Sequence, residues 1–143
     1  MTSATKKQLL EEILDNTAEK VGDITPYALK LFYTRCPEAK QKFASLGYGN
    51  AKNLELSMVD AALYCLMAWL YEPNIVRSKL ENAVPLHDYW EVSLLHIIEL
   101  QRAVFHVVGS AIDDKDTQKK ELLSEIETSV LSAIEDISQA ETP

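Results

Sequence analysis

Glycine is scarce in this 143-residue chain, with only four in all, and no stretch alternates apolar and polar residues as a half-buried strand does. A β-rich fold is thereby excluded and helices are expected throughout. Cysteine is scarcer still. Cys36 and Cys65 cannot make the disulfide framework that staples small secreted domains, and their separation has no zinc-type spacing. Each falls in an apolar stretch patterned as a helix and reads as a small buried hydrophobe of a reducing compartment. The three histidines, His87, His96 and His106, lie nine and ten residues apart, whereas two ligands on one helix face need a spacing of three or four. Basic residues are outnumbered, 14 against 22 acidic, for a net charge of −8. With no basic stripe, a nucleic-acid partner is not expected, and anionic membrane surfaces are disfavoured. The longest unbroken apolar run, Ala61 to Tyr71, is well short of the roughly 20 residues that span a bilayer. Met1 to Lys7 shows no signal-peptide pattern, so a cytoplasmic protein without membrane contact is expected. There is no glycine-rich phosphate loop and no nucleophile in a recognisable setting. Glu121, Glu125, Glu127 and Glu135 read as solvated carboxylates, and no enzymatic activity is expected.

What is present is a hydrophobic content of 47%, enough for one core in a single domain over 1–143, with its body at about 5–138 and a frayed tail at 139–143. Thr5 followed by Gln8 has capping-box form and predicts a first helix with a stripe through Leu10, Ile13, Leu14, Thr17 and Val21. Thr25-Pro26 predicts a second start, with threonine as cap and proline at the first helical position; that helix stops before Pro37. Pro37 opens a short turn to Phe43, and a glycine- and asparagine-containing loop from Leu46 to Asn53 carries an asparagine cap. Leu54 to Tyr71 is apolar on nearly every side and predicts a buried central helix. Tyr64 and Tyr71 are expected to give core hydroxyls with backbone partners. Glu72-Pro73-Asn74 breaks that helix, and 75–84 is ambiguous. Pro85 is expected to begin a long helix to Ile112, with Trp90, Leu94, Ile97, Ile98, Gln101, Val104, Phe105, Val108 and Ile112 on one face and Glu91, Glu99, Arg102 and His106 opposite. A last amphipathic helix follows Asp116 and runs to about Ser138.

The segment Phe32-Tyr33-Thr34-Arg35-Cys36-Pro37-Glu38-Ala39-Lys40-Gln41-Lys42-Phe43 resembles a signature of the globin superfamily, in which an aromatic-rich second helix ends at a proline and a short turn delivers a phenylalanine to the heme. Pro85-Leu86-His87-Asp88-Tyr89-Trp90, followed by Leu94-Leu95, resembles the entry to the penultimate globin helix. The resemblance spans about Thr5 to Gln139 and implies an all-α, globin-like domain of six to eight helices. Phe32, Phe43, Leu63, Trp90, Leu94 and Phe105 are then expected in the core. The chain departs from the family where the proximal histidine belongs, some eight or nine residues before the proline opening the penultimate helix. No histidine occurs between Phe43 and Leu86, and the distal positions carry Ser57, Met58 and Ala61. In this respect it is similar to heme-free, globin-type sensor domains.

Phe43, Met58, His87, Trp90, Leu94 and Gln101 are the candidate pocket residues, and His87 is the candidate iron ligand should heme be bound. His96, at the border of the apolar face, and His106, on the polar face, are expected to be partly or fully solvated. Gln101 is the strongly polar side chain on an otherwise apolar face, where an unpaired amide is costly, so it either bonds to another helix or meets a ligand. The resulting expectation is a binding or sensory module with no conventional heme cofactor, which either holds an apolar small molecule in the former heme cavity between the Leu54–Tyr71 and Trp90–Ile112 helices or simply fills that cavity. Two alternatives remain: a heme globin of atypical ligation that binds, carries or senses oxygen, and a structural module that docks a protein partner or a second copy.

Overall fold

The computed structural model describes residues 1–140 in seven helices: α1 (Ser3–Lys20), α2 (Thr25–Arg35), α3 (Ala39–Leu46), α4 (Ala51–Ala68), α5 (Pro73–Tyr89), α6 (Leu94–Ser110) and α7 (Thr117–Ala140). No strand occurs among the described residues, and 139–140 continue α7; the rest of the expected frayed tail, 141–143, lies outside them. The chain is all-α. None of its helices is long and apolar enough to cross a membrane, among the described residues.

Local chemistry sets the helix starts. Thr2, not Thr5, caps α1: its extended backbone lets the side-chain oxygen accept from the Thr5 amide at 3.1 Å. Residues 3–7 extend the helix by a turn before its apolar stripe begins, so Thr5 falls inside it. Thr25 likewise opens α2 without capping it, and the Asp23 carboxylate accepts the Thr25 amide at 3.0 Å. That bond holds the Asp23 carboxyl below its ordinary range. An asparagine of the expected loop does cap α4, but it is Asn50, accepting the Asn53 amide at 3.2 Å, so the helix begins at Ala51 rather than Leu54 and ends at Ala68 rather than Tyr71.

One helix is buried on most of its circumference, and it is α6 rather than α4. Leu100, Gln101, Ala103, Val104, Phe105, Val107 and Val108 are all buried. α6 packs against α2 and α4, against α7, and along α1 and α5. α4 buries Val59, Ala62, Cys65, Leu66 and Ala68 but leaves Leu56 and Met67 more than 40% exposed. Apolar composition marked both helices as central, but neighbours cover only one side of α4. α1 and α5 pack on α7, α5 through Val76, Leu80 and Val84 at four-residue intervals, which resolves the ambiguous 75–84 stretch as helix. Phe32 and Phe105 are buried as expected, whereas Phe43, Leu63 and Leu94 are only partly buried.

The largest correction lies between α5 and α6. Pro85 does not begin a helix; it sits inside α5. Proline is favoured at a first helical position, which prompted the expectation, but a helix can also carry it internally at the loss of one backbone bond. The chain turns instead at Trp90–Ser93. The amides of Trp90, Glu91 and Val92 bond back to the carbonyls of Leu86, Asp88 and His87, and Glu91 adopts the left-handed φ of 61°. Ser93 then caps α6, accepting from the Leu95 amide at 3.1 Å. Trp90 thereby leaves the buried face to which it was assigned and is 43% exposed. Two substitutions of opposite sign test this corner. Glu91→Gly relieves the left-handed strain and is expected to stabilise by about 1 kcal/mol. Ser93→Ala removes the cap and is expected to destabilise by about 1 kcal/mol. Urea melts measure both, and a destabilising Glu91→Gly would show that the turn lies elsewhere.

Candidate functional site

An open groove of about 900 Å³ runs between α6 and α7 beside the α2–α3 corner. Its apolar lining includes Phe105, Ile112 and Leu123, and its charged lining includes Arg35, Arg102 and Glu127. Gly109 sets the closeness of the two helices there, since a Cβ at that position would lie 3.3 Å from the Leu123 side chain. Glu99 is bracketed by two guanidinium groups, Arg35 at 3.4 Å and Arg102 at 3.3 Å. Glu127 was expected to be an ordinary solvated carboxylate. It is half-buried in the groove wall, and burial raises its pKa against the opposing pull of Arg102, Arg35 and His106. Helical periodicity places it at the edge of the apolar stripe, and only the apposed α6 determines that this edge is covered.

The six candidate pocket residues are tied to different partners. Phe43 packs edge-on against Phe32 and Tyr33, each ring pair 6.1 Å apart. His87 is half-buried near the end of α5, its Nδ1 2.6 Å from the Ala83 carbonyl and its ring 6.1 Å from that of Trp90. Met58 and Leu94 are partly buried against the core. Gln101 is 3% exposed, and its Nε2 donates to the Ala62 carbonyl of α4 at 2.8 Å. The amide, the candidate for a ligand contact, therefore joins α6 to α4. Tyr64 and Tyr71 also depart from expectation: they donate to the Glu72 and Glu11 carboxylates rather than to backbone. Glu72 stands at the start of α5 and Glu11 midway along α1, both brought into reach by the packing of helices.

This arrangement does not fit a heme as it stands. A heme needs a flat slot beside its ligand, yet the inner face of α4, Val59, Ala62 and Leu66, is buried, and α4 lies directly against α6 and α7. His87, the candidate iron ligand, does have the geometry of one. A ring nitrogen held by a backbone carbonyl leaves the other free to coordinate.

A second cluster went unseen in the sequence. Cys36 ends α2 instead of lying inside it, Glu38 precedes α3, and His96 stands in the first turn of α6. A His96 nitrogen, Nε2, lies 2.8 Å from Glu38 Oε1, and the ligating atoms of all three residues lie within 4.8 Å of one another. His96 is thus paired and its side chain 14% exposed, which is the partial solvation its place at the border of the apolar face suggested; His106 is exposed as expected. The His96 hydrogen bond draws the Glu38 carboxyl below its ordinary range, and burial raises the Cys36 thiol. Cys65, on the buried face of α4, is pushed up to about 11 by burial and is inert packing. A 58-residue separation between Glu38 and His96 hides the cluster from any local motif. Compared with family models, with curated proteins and with solved structures, the chain matches none.

Two predictions follow from these positions. Gln101→Leu exchanges one hydrogen bond for apolar contact and is expected to change stability by no more than about 1 kcal/mol. Gln101→Glu directs a carboxylate at the Ala62 carbonyl and is expected to cost about 3 kcal/mol or more at pH 7, with the deficit shrinking in acid as the carboxyl protonates. Denaturant melts at two pH values measure this, and a neutral Gln101→Glu would place the side chain in solvent. For Glu127 the folded pKa is raised, so the folded state binds the proton more tightly and the ionised form is destabilising at neutral pH. Glu127→Gln should therefore raise Tm at pH 7, and the gain should vanish as pH falls to the unfolded carboxyl value of about 4.3. A constant difference across that range would exclude burial as its cause.

Proposed function

We propose that this chain is a globin-like binding or regulatory module that works without a conventionally histidine-ligated heme. The order of the seven helices, with the first packed on the last and the second on the sixth, agrees with that resemblance. The observation that carries the heme-free reading is the Gln101–Ala62 hydrogen bond, 2.8 Å long and buried. It joins α6 to α4 across the seam where a pocket was expected. The ligand surface then moves to the α6–α7 groove, whose apolar floor and paired guanidinium groups suit an amphipathic small molecule or peptide segment.

One observation favours the alternative of atypical heme ligation. With α6 beginning at Leu94 rather than Pro85, the reference point for the proximal histidine moves along the chain, to the neighbourhood of His87. His87 also carries the carbonyl-held ring nitrogen of a metal ligand. Titrating hemin into the purified chain, while following its Soret absorption, separates the two readings. The expected result is weak, non-saturating binding that is the same in His87→Ala. A sharp one-to-one complex that disappears in His87→Ala would overturn the heme-free reading.

A further inference from the structure

We propose that Cys36, Glu38 and His96 form a binding site for one borderline divalent metal ion of the zinc class. The three supply a sulfur, a carboxylate oxygen and an imidazole nitrogen, all within 4.8 Å of one another. In a tetrahedral zinc site the ligand atoms stand roughly 3.3 to 3.6 Å apart, from metal–ligand bonds of about 2.0 to 2.3 Å. The His96–Glu38 pair, at 2.8 Å, opens slightly to admit an ion, and the sulfur closes by about 1 Å at most. Small side-chain rotations suffice.

The frame around these atoms is stiff. Pro37 stands between the two ligands from the corner, restricting its own φ and the backbone of Cys36. The Cys36 amide is tied to the Phe32 carbonyl at 2.7 Å, and the Ala39 amide to the Cys36 carbonyl at 3.0 Å. On the other side, the His96 ring stands edge-on to the buried Phe32 ring, 6.1 Å away at 90°. The α2–α6 packing thus holds the imidazole against the corner.

Charge and access also suit a dication. A thiolate and a carboxylate neutralise two positive charges with the imidazole uncharged, and the thiol proton leaves to solvent on binding. Arg35 and Glu99 alongside are already paired, adding little net charge. Glu38, whose side chain is 63% exposed, opens the cluster to solvent, which gives an ion its entry path and leaves a fourth position to water. Calcium and magnesium, which want oxygen ligands throughout, do not match a set with sulfur and nitrogen. Nucleophilic use of the same thiol is disfavoured, because Cys36 is only 1% exposed.

Cobalt(II) titration of the reduced full chain in oxygen-free buffer tests the site. The expected result is a thiolate-to-cobalt charge-transfer band that saturates at one equivalent and is displaced by zinc. Glu38→Gln, at a side chain 63% exposed and free of folding risk, and His96→Asn should each weaken binding by about tenfold or more. Cys36→Ser should abolish the band, while Cys65→Ser should leave it intact. Circular dichroism monitors helix content throughout. Absence of the band in the wild-type chain, its survival in folded Cys36→Ser, or unchanged affinity in folded Glu38→Gln or His96→Asn would overturn the proposal.

Discussion

Burial of α6 over most of its circumference is the constraint on which the other helices depend. A helix with Ala103, Val104 and Val108 wholly inaccessible needs partners all round, and α2, α4 and α7 supply them. The hydrophobic return is of the order of 1.5 to 3 kcal/mol for each large side chain removed from water. Such a helix leaves little room for polar groups. Gln101 is tolerated because its amide finds the Ala62 carbonyl, and the bond fixes the register of α6 against α4 at one point. Leu95, Arg102, His106 and Ser110 form the strip of α6 that remains exposed, and the groove opens along it.

The same demand explains the α5–α6 corner. α6 must begin where its apolar face begins, and Ser93 supplies the cap. Pro85 costs α5 one hydrogen bond, yet Val76, Leu80 and Val84 bury enough apolar surface to hold that helix together on both sides of the proline. Glu91 accepts an unfavourable backbone so that the chain can turn within four residues. The corner also leaves Leu86, Tyr89, Trp90 and Leu95 substantially exposed.

Two regions carry chemistry, and they adjoin at Cys36. The groove offers an apolar floor with guanidinium groups at its edge, and the α2–α3 corner offers sulfur, oxygen and nitrogen ligands to a cation. A globin-like module without heme would thus have shifted its binding surface from the α4–α6 seam to the outer side of α6. A bound ion at the corner would sit where α2, α3 and α6 meet, so its occupancy would bear directly on the packing that defines the groove.

The amino-acid pattern alone specifies the helical class, the approximate count of helices, the breaks at Gly22, at Pro37, within the 46–53 loop and at Pro73, and the apolar stripes of α1 and α7. These are local properties. A 3.6-residue period, a capping side chain or a proline acts within a few residues, and is therefore legible before the chain folds. The burial of Gln101 was legible for the same reason, as an amide on an apolar face. Which amphipathic edge would be covered was not, because coverage belongs to the neighbour: Glu127 is half-buried only because α6 lies over it, and Met67 is exposed because nothing lies over α4 there. The choice between Pro85 and Ser93 as the boundary was likewise tertiary, since either residue can open a helix and the packing of α5 on α7 selects one. Proximity between residues 58 positions apart has no local signature at all, and only the docking of α6 against the α2–α3 corner set His96 beside Glu38 and Cys36.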